Sequence, residues 1–175
     1  MICKQLGLCI EDKNKACRTE TDCIEFTDKR TSVKCEEKRK KYCLNNDRGA
    51  RIRKYHVDNG IVKNEREQWA CDNLLAVYDG DQTGMIFVEL KGTDFKHAVE
   101  QTYETIVRFL PELKHKKLYG RIVHTQGVPR LGNSGPIVDL ERLLRKNGGN
   151  LKMHEWILNE DVSRLDEKRD TKKRE

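Results

Sequence analysis

The stretch Cys71-Asp-Asn-Leu-Leu-Ala-Val-Tyr78, followed by Asp79-Gly-Asp-Gln-Thr-Gly84 and Met85-Ile-Phe-Val-Glu-Leu-Lys-Gly92, decides how the chain folds. Asn73 to Tyr78 and Met85 to Leu90 are short apolar runs rich in strand formers, and the segment between them is dense in turn residues. The pattern predicts an antiparallel hairpin. If Tyr78 pairs with Met85, Asp72 falls opposite Lys91. Directly opposed side chains share a face, and Glu89 and Lys91 share one because strand side chains repeat every two residues. Asp72, Glu89 and Lys91 then converge on one side of the sheet. A slip of one residue would turn Asp72 to the other side, so the convergence depends on the turn length.

Two carboxylates brought that close repel each other, and burial raises their pKa, unless a cation is shared between them. Mg²⁺ suits such a place, because it takes hard oxygen ligands, keeps several waters and needs only one or two carboxylates; Mn²⁺ is the alternative. A lysine beside the metal orients a water or neutralises charge developing on a phosphate. That is a recipe for phosphodiester hydrolysis.

Further elements follow on both sides of the hairpin. Upstream, Ala50 to Val57 and Gly60 to Val62 read as another hairpin around Asp58-Asn59-Gly60. Downstream, Asp94 to Leu110 carries Phe95, Ala98, Val99, Thr102, Ile106 and Phe109 at helical spacing, with Asp94 as its cap and Pro111 as its stop. Its other face bears His97, Gln101, Glu104 and Arg108. Lys117 to His124 reads as a strand, Pro136 to Lys146 as a helix with Gly148-Gly149 beyond its end, and Leu151 to Leu158 as a last strand. The order β-β-β-β-α-β-α-β predicts an α/β domain whose later connections are crossovers.

Cys71-Asp-Asn-Leu-Leu75 followed by Phe87-Val-Glu-Leu-Lys-Gly92 resembles the core of the PD-(D/E)xK nuclease superfamily, which includes Holliday-junction resolvases and RecB-type nucleases. The resemblance covers roughly Ile52 to Leu158 as an order of elements. It implies a restriction-endonuclease-like core, a central mixed β-sheet flanked by helices. It also implies Asp72 as the metal-binding aspartate, Glu89 as the second acidic ligand, the Leu90 carbonyl as a further ligand and Lys91 as the catalytic lysine. Gln101 resembles the glutamine that several members set near the metal. Many members add a glutamate from a helix before the first strand; Glu36 and Glu37 qualify on position alone, and Asp58 is the alternative candidate for an additional acid. The implied activity is that of a Mg²⁺-dependent nuclease acting on nucleic acid, with DNA favoured over RNA and both left open, in DNA processing or defence. The rival reading is a catalytically silent fold that binds nucleic acid or a partner protein. A homodimer fits nucleases that make two cuts.

The chain has 175 residues, 35 Lys and Arg against 29 Asp and Glu, and a formal charge of +6. That length suits one domain with a modest core. The expected division is a polar, cysteine-containing segment over 1–45, the nuclease-like core over 46–160 and a charged tail over 161–175. No run reaches the roughly 18 apolar residues that cross a bilayer, and none near the start resembles an export signal. The expectation is a cytoplasmic protein with reduced thiols and no membrane partner.

The excess positive charge fits a polyanion. Candidate phosphate contacts are Arg51, Arg53 and Lys54 in one cluster, Lys116 and Lys117 in a second, and the run Lys38 to Lys41. No aromatic-interleaved pattern points to stacking on single strands. The scattered histidines lack zinc-hydrolase spacing. Six of the seven cysteines lie between Cys3 and Cys43 without a C-x2-C pair, so zinc or an iron–sulfur cluster there is the weaker alternative to free thiols.

Overall fold

The computed structural model describes residues 6–11, 23–62, 70–125 and 135–167. In chain order its elements are α1 (Leu6–Glu11), β1 (Ile24–Asp28), β2 (Ser32–Glu37), β3 (Lys40–Asn45), β4 (Arg51–His56), β5 (Asn73–Asp79), β6 (Gln82–Leu90) and α2 (Phe95–Phe109). They continue with β7 (Lys117–His124), α3 (Gly135–Lys146), β8 (Leu151–Glu155) and β9 (Ile157–Asp161).

The hairpin of β5 and β6 forms, in a tighter register than expected. Ala76 pairs with Met85 and Tyr78 with Thr83, so the strands run on to Asp79 and Gln82, and Gly80 supplies the positive φ of the turn. The difference is two residues, which preserves side-chain faces. Asn73 pairs with Val88, and Asp72 therefore moves from opposite Lys91 to opposite Glu89 without leaving its side of the sheet.

The hairpin lies inside a mixed sheet of order β1-β4-β5-β6-β7-β8. Its first four strands are antiparallel neighbours; β6, β7 and β8 run parallel, joined by α2 and α3. Parallel strands need such crossovers. The expected hairpin of Ala50–Val57 with Gly60–Val62 is corrected: β4 pairs with β5 and β1, and Asp58-Asn59-Gly60 makes only a local turn that folds Ile61 and Val62 back onto the end of β4. Gly60 is required there, since a Cβ would stand 2.1 Å from the His56 carbonyl oxygen.

Alternation along the strands assigns the two faces. Leu74, Ala76, Met85 and Phe87 pack against α2 and α3, whose inward stripes are Phe95, Ala98, Val99, Ile106 and Phe109, and Ile137, Leu140 and Leu144. Leu75, Val77, Ile86 and Val88 face the other way, toward a small sheet of order β2-β3-β9. The class is α/β with a mixed sheet, but helices cover one face and three strands the other.

This small sheet redraws the expected division of the chain. β1 joins the main sheet, while β2 and β3 place Val33, Cys35, Tyr42 and Leu44 in the core, so residues 24–45 are not a separate segment. At the other end, Val162 and Leu165 are buried and Asp166 accepts from Lys117 and Tyr119, so packing continues past 161; residues 168–175 lie outside the described residues. The last expected strand is two strands. Trp156, with φ 60°, redirects the chain from β8 in the main sheet to β9 in the small one.

Candidate active site

The site forms at the end of the hairpin, where β6 leaves the sheet for α2. Asp94, three residues after Lys91, caps α2 by accepting from the His97 N–H at 3.1 Å, and the helix starts at the next residue, Phe95. Thr105 fastens the helix to the sheet: its hydroxyl accepts from the Cys71 N–H at 2.9 Å and donates to the Gln101 carbonyl. The residue preceding Asp72 and the turn of helix that carries Gln101 are thereby held together.

Asp72, Glu89, Lys91 and Gln101 meet there. Asp72 Oδ2 accepts from the Leu90 N–H at 2.8 Å. Lys91 donates its main-chain N–H to the Val123 carbonyl on β7, while its Nζ donates to Gln101 Oε1 at 2.9 Å. Gln101 Nε2 donates to the Ala70 carbonyl at 3.2 Å, which turns the amide oxygen toward the lysine. In an extended strand a residue's N–H and C=O point to the same side and alternate from one residue to the next. The Leu90 carbonyl therefore points away from β7, toward the side from which Asp72 approaches.

Electrostatics mark the site as short of positive charge. Glu89 is only 2% exposed, and its Oε2 is buried without a hydrogen-bond partner among the described residues. Burial and then the neighbouring Asp72 charge push Glu89 up to about 8, against the opposing pull of Lys91 and the Asp72 main-chain N–H. Asp72 is raised as well, first by burial and then by the charges of Glu37 and Asp58, partly offset by the Leu90 N–H and by Lys91. An orphaned carboxylate oxygen beside a second raised carboxylate is an environment that a cation relieves. Two carboxylates and one carbonyl are hard oxygen donors, and this set fits Mg²⁺ or Mn²⁺ with the remaining positions left to water. Among the described residues no group of three or more His, Cys, Asp or Glu side chains is gathered to hold a metal ion.

The other expected residues are placed as follows. Asp58, on the turn after β4, and Glu37, at the end of β2, are near enough to act on Asp72 by charge. Glu37 arrives because the small sheet folds over the main one, and nothing in its local sequence signals that.

The basic residues largely fall elsewhere. Arg53 is buried, donating to the Thr27 hydroxyl and the Cys9 carbonyl, and Lys54 is buried against Glu25 at 2.7 Å and the Lys34 carbonyl. Both join strands to their surroundings instead of facing a polyanion. Arg51 pairs with Tyr78 and Lys117 with Gly84, six residues along their strands from the site, about 20 Å away. Lys117 and Lys116 are also engaged by Asp166 and Glu11, each at 2.7 Å. The basic run at Lys38–Lys41, in contrast, begins beside Glu37 at the site's edge.

Cys23 and Cys35 are buried in different cores, one on each side of the main sheet. Cys3 and Cys17 lie outside the described residues.

No family model matches the chain, and no curated protein or solved structure matches it either.

Proposed function

We propose that this protein is a metal-dependent nuclease built on a restriction-endonuclease-like core, with DNA as its favoured substrate. The observation that carries the reading is Glu89: a buried carboxylate with an unpartnered oxygen, directly beside Asp72 and one alternation along the strand from a lysine. A purely structural carboxylate at that depth would have its hydrogen bonds satisfied. Its surroundings support the same reading, since an antiparallel hairpin passes through a crossover helix into a parallel strand, and that helix supplies Gln101.

Asp72, Glu89 and the Leu90 carbonyl hold the cation. When bound, Mg²⁺ polarises a phosphoryl oxygen and acidifies a coordinated water. Lys91 has three donors; Gln101 takes one and fixes the direction of the ammonium, leaving others for the attacking water or for charge developing on the phosphate. Gln101 is a positioning residue, itself held by the Ala70 carbonyl.

The test is incubation with supercoiled plasmid, linear DNA and RNA in Mg²⁺, Mn²⁺ or EDTA. Cleavage with metal, absent in EDTA and reduced by at least about 10²-fold in Lys91→Ala and Glu89→Gln, is expected. Cleavage that survives EDTA or is unchanged in Lys91→Ala overturns the reading, and binding without cleavage under every metal supports the silent-module alternative.

A further inference from the structure

Among the described residues, five non-glycine residues have positive φ, and three of them, Lys38, Arg39 and Trp156, gather at one corner. Trp156 is the unusual one, because bulky residues rarely adopt this conformation and a turn residue such as glycine would adopt it without strain. Two hydrogen bonds lock it. Its N–H donates to the His124 carbonyl at 2.8 Å, and its carbonyl accepts from the Lys41 N–H at 2.8 Å. Trp156 is 44% exposed and the adjoining Ile157 is 43% exposed.

The position relates this corner to the site. Trp156 bonds to β7, and β7 bonds to the Lys91 main chain, so Trp156 is two strand spacings, about 10 Å, from Lys91 at the same end of the sheet. That is about the rise of three stacked bases at roughly 3.4 Å each. The Lys38-Arg39 turn lies two to three residues from the Lys41–Trp156 bond, on the side of Glu37. Of the four cations in residues 36–41, Lys40 is buried and Lys41 is bound to Glu36 at 3.0 Å, which leaves Lys38 and Arg39 exposed at the turn, Lys38 only loosely near Glu37 at 3.8 Å. A flat, exposed aromatic on a fixed backbone, beside the two exposed cations Lys38 and Arg39, matches the two halves of a nucleotide, its base and its phosphate.

We propose that Trp156 and the Lys38-Arg39 turn form a stacking platform that holds an unpaired nucleotide of a single-stranded segment next to the Asp72–Glu89–Lys91 site. The inference rests on the nucleic-acid part of the function proposed above. It adds a preference for single strands or for junctions and ends that expose them.

The experiment measures binding of the full chain to a labelled 12-nucleotide single strand and to its duplex, by fluorescence anisotropy in EDTA, where no metal-dependent cleavage intervenes. Trp156→Gly is the informative variant, since glycine accepts the backbone and folding is preserved, as an unchanged or higher Tm would show. Expected is a loss of about 5- to 100-fold in single-strand affinity, a smaller loss on the duplex, and recovery of most of the affinity in Trp156→Phe. Unchanged single-strand affinity in Trp156→Gly overturns the platform, as does an equal loss on both substrates. Self-association of the wild type that Trp156→Gly abolishes also overturns it, by making the corner a protein interface.

Parallel plasmid assays separate the two proposals. Lys91-dependent cleavage with Trp156-independent binding removes the platform alone. Trp156-dependent binding without cleavage removes the catalytic reading alone.

Discussion

Glu89 shows how a single side chain can oppose the fold that contains it. Its strand neighbours Val88 and Leu90 turn their apolar side chains to the opposite face, and the carboxylate is buried on the helix side with one oxygen unpartnered among the described residues. Removing the charge while keeping the shape should therefore stabilise the metal-free protein. Glu89→Gln is expected to raise Tm in EDTA at pH 8, by an amount corresponding to about 1–3 kcal/mol, while abolishing metal-dependent cleavage. Thermal melts with and without Mg²⁺ check this, and the metal should stabilise only the wild type. The local pattern Glu-Leu-Lys made Glu89 and Lys91 legible as partners on one face. It carried no information about Glu37, whose charge reaches Asp72 only because a second sheet folds over the first.

At the scale of elements, the turn between β2 and β3 is built against local preference. Lys38 and Arg39 occupy left-handed conformations, φ 45° and 72°, where asparagine and glycine are favoured. Replacing them with Asn-Gly should stabilise the protein by about 0.5–1 kcal/mol, readable as a Tm increase of a few degrees, and should weaken oligonucleotide binding at the same time. A gain in stability with no loss of binding would leave the basic turn as a structural feature only.

This hairpin also explains why the beginning of the chain was hard to read. β2 alternates Val33 and Cys35 inward, and β3 alternates Lys40, Tyr42 and Leu44 inward. The period of two is present, but cysteine and lysine occupy positions where larger apolar residues would have marked it. Helix α2 was legible almost to the residue, because a capping aspartate, a continuous apolar stripe and a terminating proline all agree.

Across the whole molecule, the two sheets are joined by a buried ionic network. Arg121, fully buried on β7, donates to Glu160 on β9; Tyr42 on β3 donates to the same carboxylate at 2.6 Å and Lys152 on β8 at 2.9 Å. Burial alone would raise the Glu160 carboxyl, but the Arg121 charge, the Arg121 hydrogen bond and those from Tyr42 and Lys152 together hold it below the usual range. A carboxylate depressed in the folded state contributes stability above its unfolded pKa, about 4.3, and that stability is lost as pH falls through the lower folded value. Acid should therefore loosen the contact between the sheets. Glu160→Gln is expected to cost about 3–5 kcal/mol near neutral pH, because Arg121 is left buried without its counter-charge, and to flatten the fall in Tm between pH 5 and 3. Melts across that range provide the check.

The sequence by itself determined the hairpin, the crossover helices and the parity that keeps Asp72, Glu89 and Lys91 on one face. These follow from periodicity and turn chemistry, which act over a few residues. The register was misjudged by two residues, and the faces survived because strand side chains repeat with that period. Tertiary structure alone decided which cations are buried in the core, as Arg53 and Lys54 are, and which lie far from the site. It also brought Glu37 to the edge of the site and Trp156 beside a basic turn more than a hundred residues away in the chain. Such juxtapositions come from how a second sheet packs on the first, through contacts between residues distant in the chain, and no local pattern records them.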